Sequence, residues 1–239
     1  MERAARDPGK PQARGPAGGV PLQHTLMPHL VAFNLLPSLT LHPEHVADHA
    51  LPAGFDELLA RPETAALAHR HWSASILQDL SLADDPVCGL DAPALPVAML
   101  HGELLEALAR SAGLVLLAAR LRRMVARADL AEAHRVLGEE AVRYARAHAA
   151  TAAVFVPDTT DWDIGQLDAA VPVLGYGLLG RALQAAPLAV RARALLRLPA
   201  SADAVLQLMP LASDEALDLA LQLLTERDPQ WRSLFPSIH

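Results

Sequence analysis

Between Ser111 and Arg127 the chain reads Ser-Ala-Gly-Leu-Val-Leu-Leu-Ala-Ala-Arg-Leu-Arg-Arg-Met-Val-Ala-Arg, and no other run limits the fold as tightly. At helical spacing Leu117, Leu121, Met124, Val125 and Ala128 fall on the side of Leu114. Arg120, Arg123 and Arg127 stack on a different side. Leu114 to Ala119 is apolar all round. A helix of this kind is buried where it starts and solvated where it ends. It belongs to a core or a docking surface, not to a catalytic loop.

The apolar residues decide what surrounds it. Hydrophobic residues make up 52% of the 239, with 47 Ala and 44 Leu against three Ile, and aromatics reach only 4%. Ala and Leu favour helices, whereas β-branched and aromatic residues favour strands. The expectation is a mainly α, irregular multi-helix globular protein with long connecting loops and little or no β. The length suffices for one sizeable core or two small ones. The apolar content argues against disorder over most of the chain.

Charge narrows the partners. A net charge of −7 argues against nucleic acid as a partner of the whole chain. All basic residues but Lys10 are Arg, which fits a GC-rich genome better than selection for bidentate contacts. The single Cys88 excludes an internal disulfide and a cysteine-rich zinc site, and fits a reducing compartment. The longest uncharged apolar runs, Ala112 to Ala119 and Ala169 to Gly180, are too short to span a bilayer. No apolar signal region precedes a cleavage site. The expectation is a soluble, cytoplasmic protein.

Residues 1–25 read as a disordered, slightly basic leader punctuated by Pro and Gly. Residues 26–239 read as helical, with polar stretches at 84–96 and 156–163 that could divide them into two lobes. Pro28, Pro43, Pro62 and Pro187 sit where first helical residues would sit. Ala65, Trp72, Ile76 and Leu80 share a face after Pro62. Val97, Leu100, Leu104 and Leu108 share one after Pro96, and Ser111-Ala-Gly113 marks a break or kink. Asp129 would cap a long helix to His148 carrying Leu130, Ala133, Leu137, Ala141 and Tyr144, with Glu139 and Arg143 spaced for an ion pair. Ser213 would cap a helix striped by Leu217, Ala220, Leu221 and Leu224 and ended by Pro229.

Several patterns touch on chemistry. Gly175-Tyr-Gly177-Leu-Leu-Gly180 has the spacing of a dinucleotide-binding turn after Val171 to Leu174. Pro172 does not suit a central strand, and too little chain follows for a doubly wound sheet, so a glycine-bearing packing helix is preferred. His42, His45 and His49 cluster with Glu44 and Asp48. They lack a zinc-protease order, so a polar helix face is preferred to a metal site. His69 and His101 read as hydrogen-bonded core histidines. Asp158 to Asp163 reads as an acidic helix start rather than a cation loop. Cys88 has no visible base beside it. The preferred reading carries no catalytic residue, cofactor or metal. A metal- or nucleotide-dependent helical enzyme, using His42, His45 and His49 or the Gly175 turn, is the alternative. Arg120, Arg123 and Arg127 form the candidate partner-binding face, since arginine is enriched at interface hot spots.

Ala112-Gly-Leu-Val-Leu116, Arg122-Arg123, a break near Ala128-Asp129 and the helical run to His148 resemble the SctK family, of YscK and PscK type. Phe33 to His45 is similar to its N-terminal portion, through Leu36-Pro37 and Leu41-His42-Pro43. Leu195-Leu196-Arg197-Leu198-Pro199 resembles its Arg-Leu-Pro ending after a helix. Leu223 to Phe235, with Pro229 and Leu234-Phe235, is similar to its C-terminus. The likeness covers most of 26–239. It implies a helical, non-enzymatic adaptor of the type III secretion sorting platform. That adaptor would join the inner-membrane ring protein's cytoplasmic domain to the pod protein, at the cytoplasmic face of the bacterial inner membrane, without inserting into it. The motifs are diffuse, and no residue-level binding site carries over.

Overall fold

The computed structural model describes residues 22–51, 53–148, 163–202 and 211–235. Within them the chain forms helices α1 (Leu22–Leu35), α2 (Phe55–Leu59), α3 (Pro62–Asp79), α4 (Leu95–Ala98), α5 (Gly102–Arg123), α6 (Arg127–Leu137) and α7 (Glu139–Ala147). There follow α8 (Leu167–Leu183), α9 (Leu188–Leu195), α10 (Ser213–Arg227) and α11 (Pro229–Ser233). Short 3-10 turns occupy Pro37–Leu39, Pro43–His45 and Ile164–Gln166. No strand occurs among the described residues, as the Ala/Leu composition predicts.

The core forms around α5 and α8, which run antiparallel. Leu108, Ala112, Val115, Ala118 and Leu121 of α5 are fully buried, as are Val171, Leu178, Leu179 and Ala182 of α8. Helix α10 covers α8 with Ala216, Leu219, Ala220, Leu223 and Leu224, and α7 packs on α5 through Val142 and Ala145. Helix α1 enters the same core with Leu26, Leu30 and Phe33. A smaller cluster of Trp72, Ile76 and Leu196 joins α3 to the end of α9.

Helix boundaries depart from the sequence expectations in several places. Ser111-Ala-Gly113 is neither a break nor a kink but the middle of the 22-residue α5. The helix expected from Pro96 is two: α4 stops at Ala98, and α5 starts at Gly102, whose φ of 55° lies in the left-handed region. The run expected as one helix to His148 breaks at Gly138, with φ 87° and ψ 152°, a conformation essentially confined to glycine. Helix α6 starts at Arg127, so Asp129 sits in its first turn rather than at its cap. Past the Gly138 break the buried stripe moves to Val142 and Ala145, while Glu139 and Arg143 pair at 3.7 Å as expected. Pro28 lies inside α1, which already begins within the expected leader, at Leu22. Pro187 is the N-cap of α9. Ser213 is the first residue of α10 and Ala212 its cap, whose N–H is accepted by Glu215 Oε2 at 3.1 Å. Pro229 opens α11, capped by Asp228, rather than ending α10.

Up to the start of α4 the 84–96 stretch is irregular but anchored. Asn34, 8% exposed, donates Nδ2 to the Val87 carbonyl at 2.9 Å and accepts the Val87 N–H on Oδ1 at 2.8 Å. The other expected division, 156–163, lies outside the described residues apart from Asp163, as does Asp158 to Trp162.

Candidate functional site

The glycine pattern at 175–180 is a packing device. A Cβ on Gly175 would lie 1.8 Å from the Ala109 carbonyl oxygen, and one on Gly113 would lie 1.9 Å from that of Val171. The two glycines stand one turn apart on the antiparallel seam of α5 and α8, so main chain lies directly on main chain there. Val171 to Leu174, expected to be a strand if nucleotide bound there, is part of α8, with Pro172 inside it. Helical hydrogen bonding occupies the N–H groups that a phosphate cradle would offer. The nucleotide alternative fails on this geometry.

The histidines also have structural partners. His45 Nε2 meets the Leu198 carbonyl at 2.9 Å, the His42 N–H donates to Leu196 O at 2.8 Å, and Glu44 Oε2 accepts the Ser201 N–H at 3.1 Å. These bonds fasten 42–45 to the turn after α9. His49 points elsewhere, 3.9 Å from Asp79, and its carbonyl accepts the Trp72 indole N–H at 2.9 Å. Among the described residues no three His, Cys, Asp or Glu side chains converge as metal ligands. His69 is half-buried and meets Ser38 Oγ at 3.0 Å, as expected of a hydrogen-bonded histidine. His101 is exposed, 3.4 Å from the Met99 carbonyl, and is not the core histidine expected, because it stands outside the start of α5. Burial is the main cause that holds the pKa of His42 and of His29 below the ordinary value. Cys88 is exposed.

The arginines come from two helices rather than one. Arg120 and Arg123 lie in the last turn of α5, where cations offset the carbonyl end of the dipole, and Arg123 Nε donates to Ala119 O at 3.3 Å. The chain then leaves the helix, exposing Val125 at 92%, and Arg127 starts α6. Arg122 is exposed in the same turn as Arg123.

A second surface escaped the sequence reading. Met27, Val31 and Leu35 on α1, with Leu39 beyond it, are 45–57% exposed along one side. The signal was an i, i+4, i+8 apolar series in a stretch without Asp, Glu, Lys or Arg from Gly15 to Pro43. His29 of α1 lies 6.1 Å from His101, just before α5. The apolar side therefore lies near the start of α5 and the arginines at its end, about 30 Å apart for 22 residues.

Between α5, α7 and α10 lies a groove of about 630 Å³ with an apolar floor at Ala107, Leu114 and Leu137. Arg110 and Arg227 line it together with Glu139 and Glu140, so its rim carries both signs. Arg110 pairs with Asp168 at 3.5 Å, and Arg227 donates to Ser111 Oγ at 3.4 Å. No helix of the described residues is long and apolar enough to cross a membrane.

The family model described as YOP proteins translocation protein K (YscK) matches residues 31–235. No curated protein and no solved structure matches the chain.

Proposed function

The chain belongs to the YscK family of type III secretion proteins, and on that premise we propose that it is a non-enzymatic adaptor of the sorting platform. It joins the cytoplasmic domain of the inner-membrane ring protein to the pod protein, at the cytoplasmic face of the membrane. The family match over 31–235 carries this reading. The placement of its surfaces supports it: a bridge between two neighbours needs contact regions that do not compete for space. The α1 apolar side and the Arg120, Arg123 and Arg127 cluster stand at opposite ends of α5. Apolar anchors and arginine are the residue types that dominate interface energies.

The test is binding of the purified chain to the ring protein's cytoplasmic domain and to the pod protein, singly and together. The expected result is a ternary complex. Arg120→Glu combined with Arg123→Glu weakens one partner by about tenfold or more, with the fold retained and the other affinity intact. Absence of binding to both partners at micromolar concentration would sink the reading. Unchanged affinity in the folded double variant would remove the arginines from the interface.

A further inference from the structure

Arg193, in α9, and Arg197, two residues past its end, are 2% and 7% exposed. Arg193 donates to Leu82 O at 2.8 Å and to Ala189 O at 3.1 Å, and Asp85 offers it negative charge nearby. Arg197 has no such acid. Its Nη1 donates to Leu100 O at 3.0 Å and Ala98 O at 3.3 Å, and its guanidinium lies 4.8 Å from the centre of the Phe33 ring. Among the described residues no carboxylate lies within ion-pairing distance of it. Burial lowers its pKa to about 10, so it stays charged at neutral pH. A buried cation without a counter-ion is costly unless something else supplies the anion.

Arg197 lines a cavity of about 390 Å³ between the 39–43 segment, the start of α5 and Tyr176 of α8. Leu39, Leu41 and Leu105 give it apolar walls, while His42 and Tyr176 add polar groups. We propose that this cavity binds a monocarboxylate with an apolar body, its carboxylate set against Arg197. Both carbonyl bonds of Arg197 use Nη1, so the Nε–Nη2 edge takes no acceptor among the described residues. That edge presents the two parallel N–H groups that a carboxylate accepts. Glu106 also lines the cavity and is exposed, and its charge opposes a second negative charge on the ligand. The walls therefore favour a single charge on an apolar body over a compact dianion. The inference rests on this cavity and not on the adaptor reading.

The test is a titration of the full chain with benzoate, followed by NMR, with benzamide and inorganic phosphate titrated in parallel. Benzoate is expected to shift the Tyr176, His42 and Leu105 resonances saturably, with benzamide and phosphate about tenfold weaker or more. Arg197→Met, if folded, loses benzoate binding. Because Arg197 also holds two carbonyls, Glu106→Gln gives a second arm at an exposed position. It is expected to narrow the gap between phosphate and benzoate several-fold. The proposal is overturned by any of four results: no saturable benzoate shift at tens of millimolar, equal binding of benzamide, undiminished binding by folded Arg197→Met, or an unchanged phosphate-to-benzoate ratio in Glu106→Gln.

Discussion

Gly113→Ala tests the seam between α5 and α8. The new Cβ would lie 1.9 Å from the Val171 carbonyl oxygen, and approaches under 3.0 Å essentially never occur, so the helices must part by at least about 1 Å. The obstacle is helical main chain, which no rotamer change can move. A gap of about 1 Å forfeits a quarter to a half of the dispersion energy of the atoms facing it. Leu108, Ala112, Val115, Val171 and Leu178 are all buried around this seam. Overpacking typically costs about 1–3 kcal/mol, and this site belongs at the upper end. Replacing a helical glycine by alanine returns about 1 kcal/mol, leaving a net loss of about 2 kcal/mol. For a chain of this size that is roughly 4–8 °C of melting temperature. Urea unfolding followed by circular dichroism measures it. Gly165→Ala is the control, because its Cβ would meet only Asp163 Oδ2 at an ordinary 3.7 Å. Gly175→Ala is expected to behave like Gly113→Ala. The double variant should cost less than the sum, since one separation relieves both clashes. A Gly113→Ala protein as stable as the wild type, or strict additivity in the double variant, would refute the close-approach argument.

Asn34→Ala strands the buried N–H and carbonyl of Val87 and is expected to cost about 2–3 kcal/mol, read from the urea midpoint. Amide exchange at Val87 should rise with it. Gly138→Ala forces a side chain into φ 87°, ψ 152° and should cost about 1–3 kcal/mol; a smaller loss would mean that the α6–α7 junction relaxes. His29 and His42 have folded pKa values below the ordinary 6.5, chiefly through burial. The unfolded chain therefore takes up protons first as pH falls. Their contribution is present above about pH 6.5 and is lost as pH drops through the lower folded values. Urea midpoints from about pH 7.5 to about pH 5.5 should fall less steeply in His29→Gln than in wild type, and identical slopes would contradict the assignment.

The helical class was legible because Ala and Leu dominate the apolar residues, a local property that every window reports. Helix ends were less legible because tertiary packing chooses them. Asp129 and Ser213 are good capping residues, yet packing starts their helices three residues and one residue earlier than a cap at those positions would allow. Gly113 looked like a break because the main chain it meets, at Val171, lies 58 positions away; only that meeting reveals its role. Gly138 was hidden because the residues on both sides carry helical patterns, and only its backbone angles separate α6 from α7. Of the candidate surface, Arg120 and Arg123 share a helix as read, whereas Arg127 belongs to the next one. The burial of Arg197 had no local signature, since its setting is assembled from α1, α4 and the chain after α9.

Main chain resting on main chain at Gly113 and Gly175 also has a mechanical consequence. Side-chain contacts yield by rotamer hops, which absorb small displacements; a backbone seam has no such slack. Helices α5 and α8 are therefore expected to move together rather than slide past each other. In the proposed bridging role, that stiffness would hold the two neighbours at a set distance.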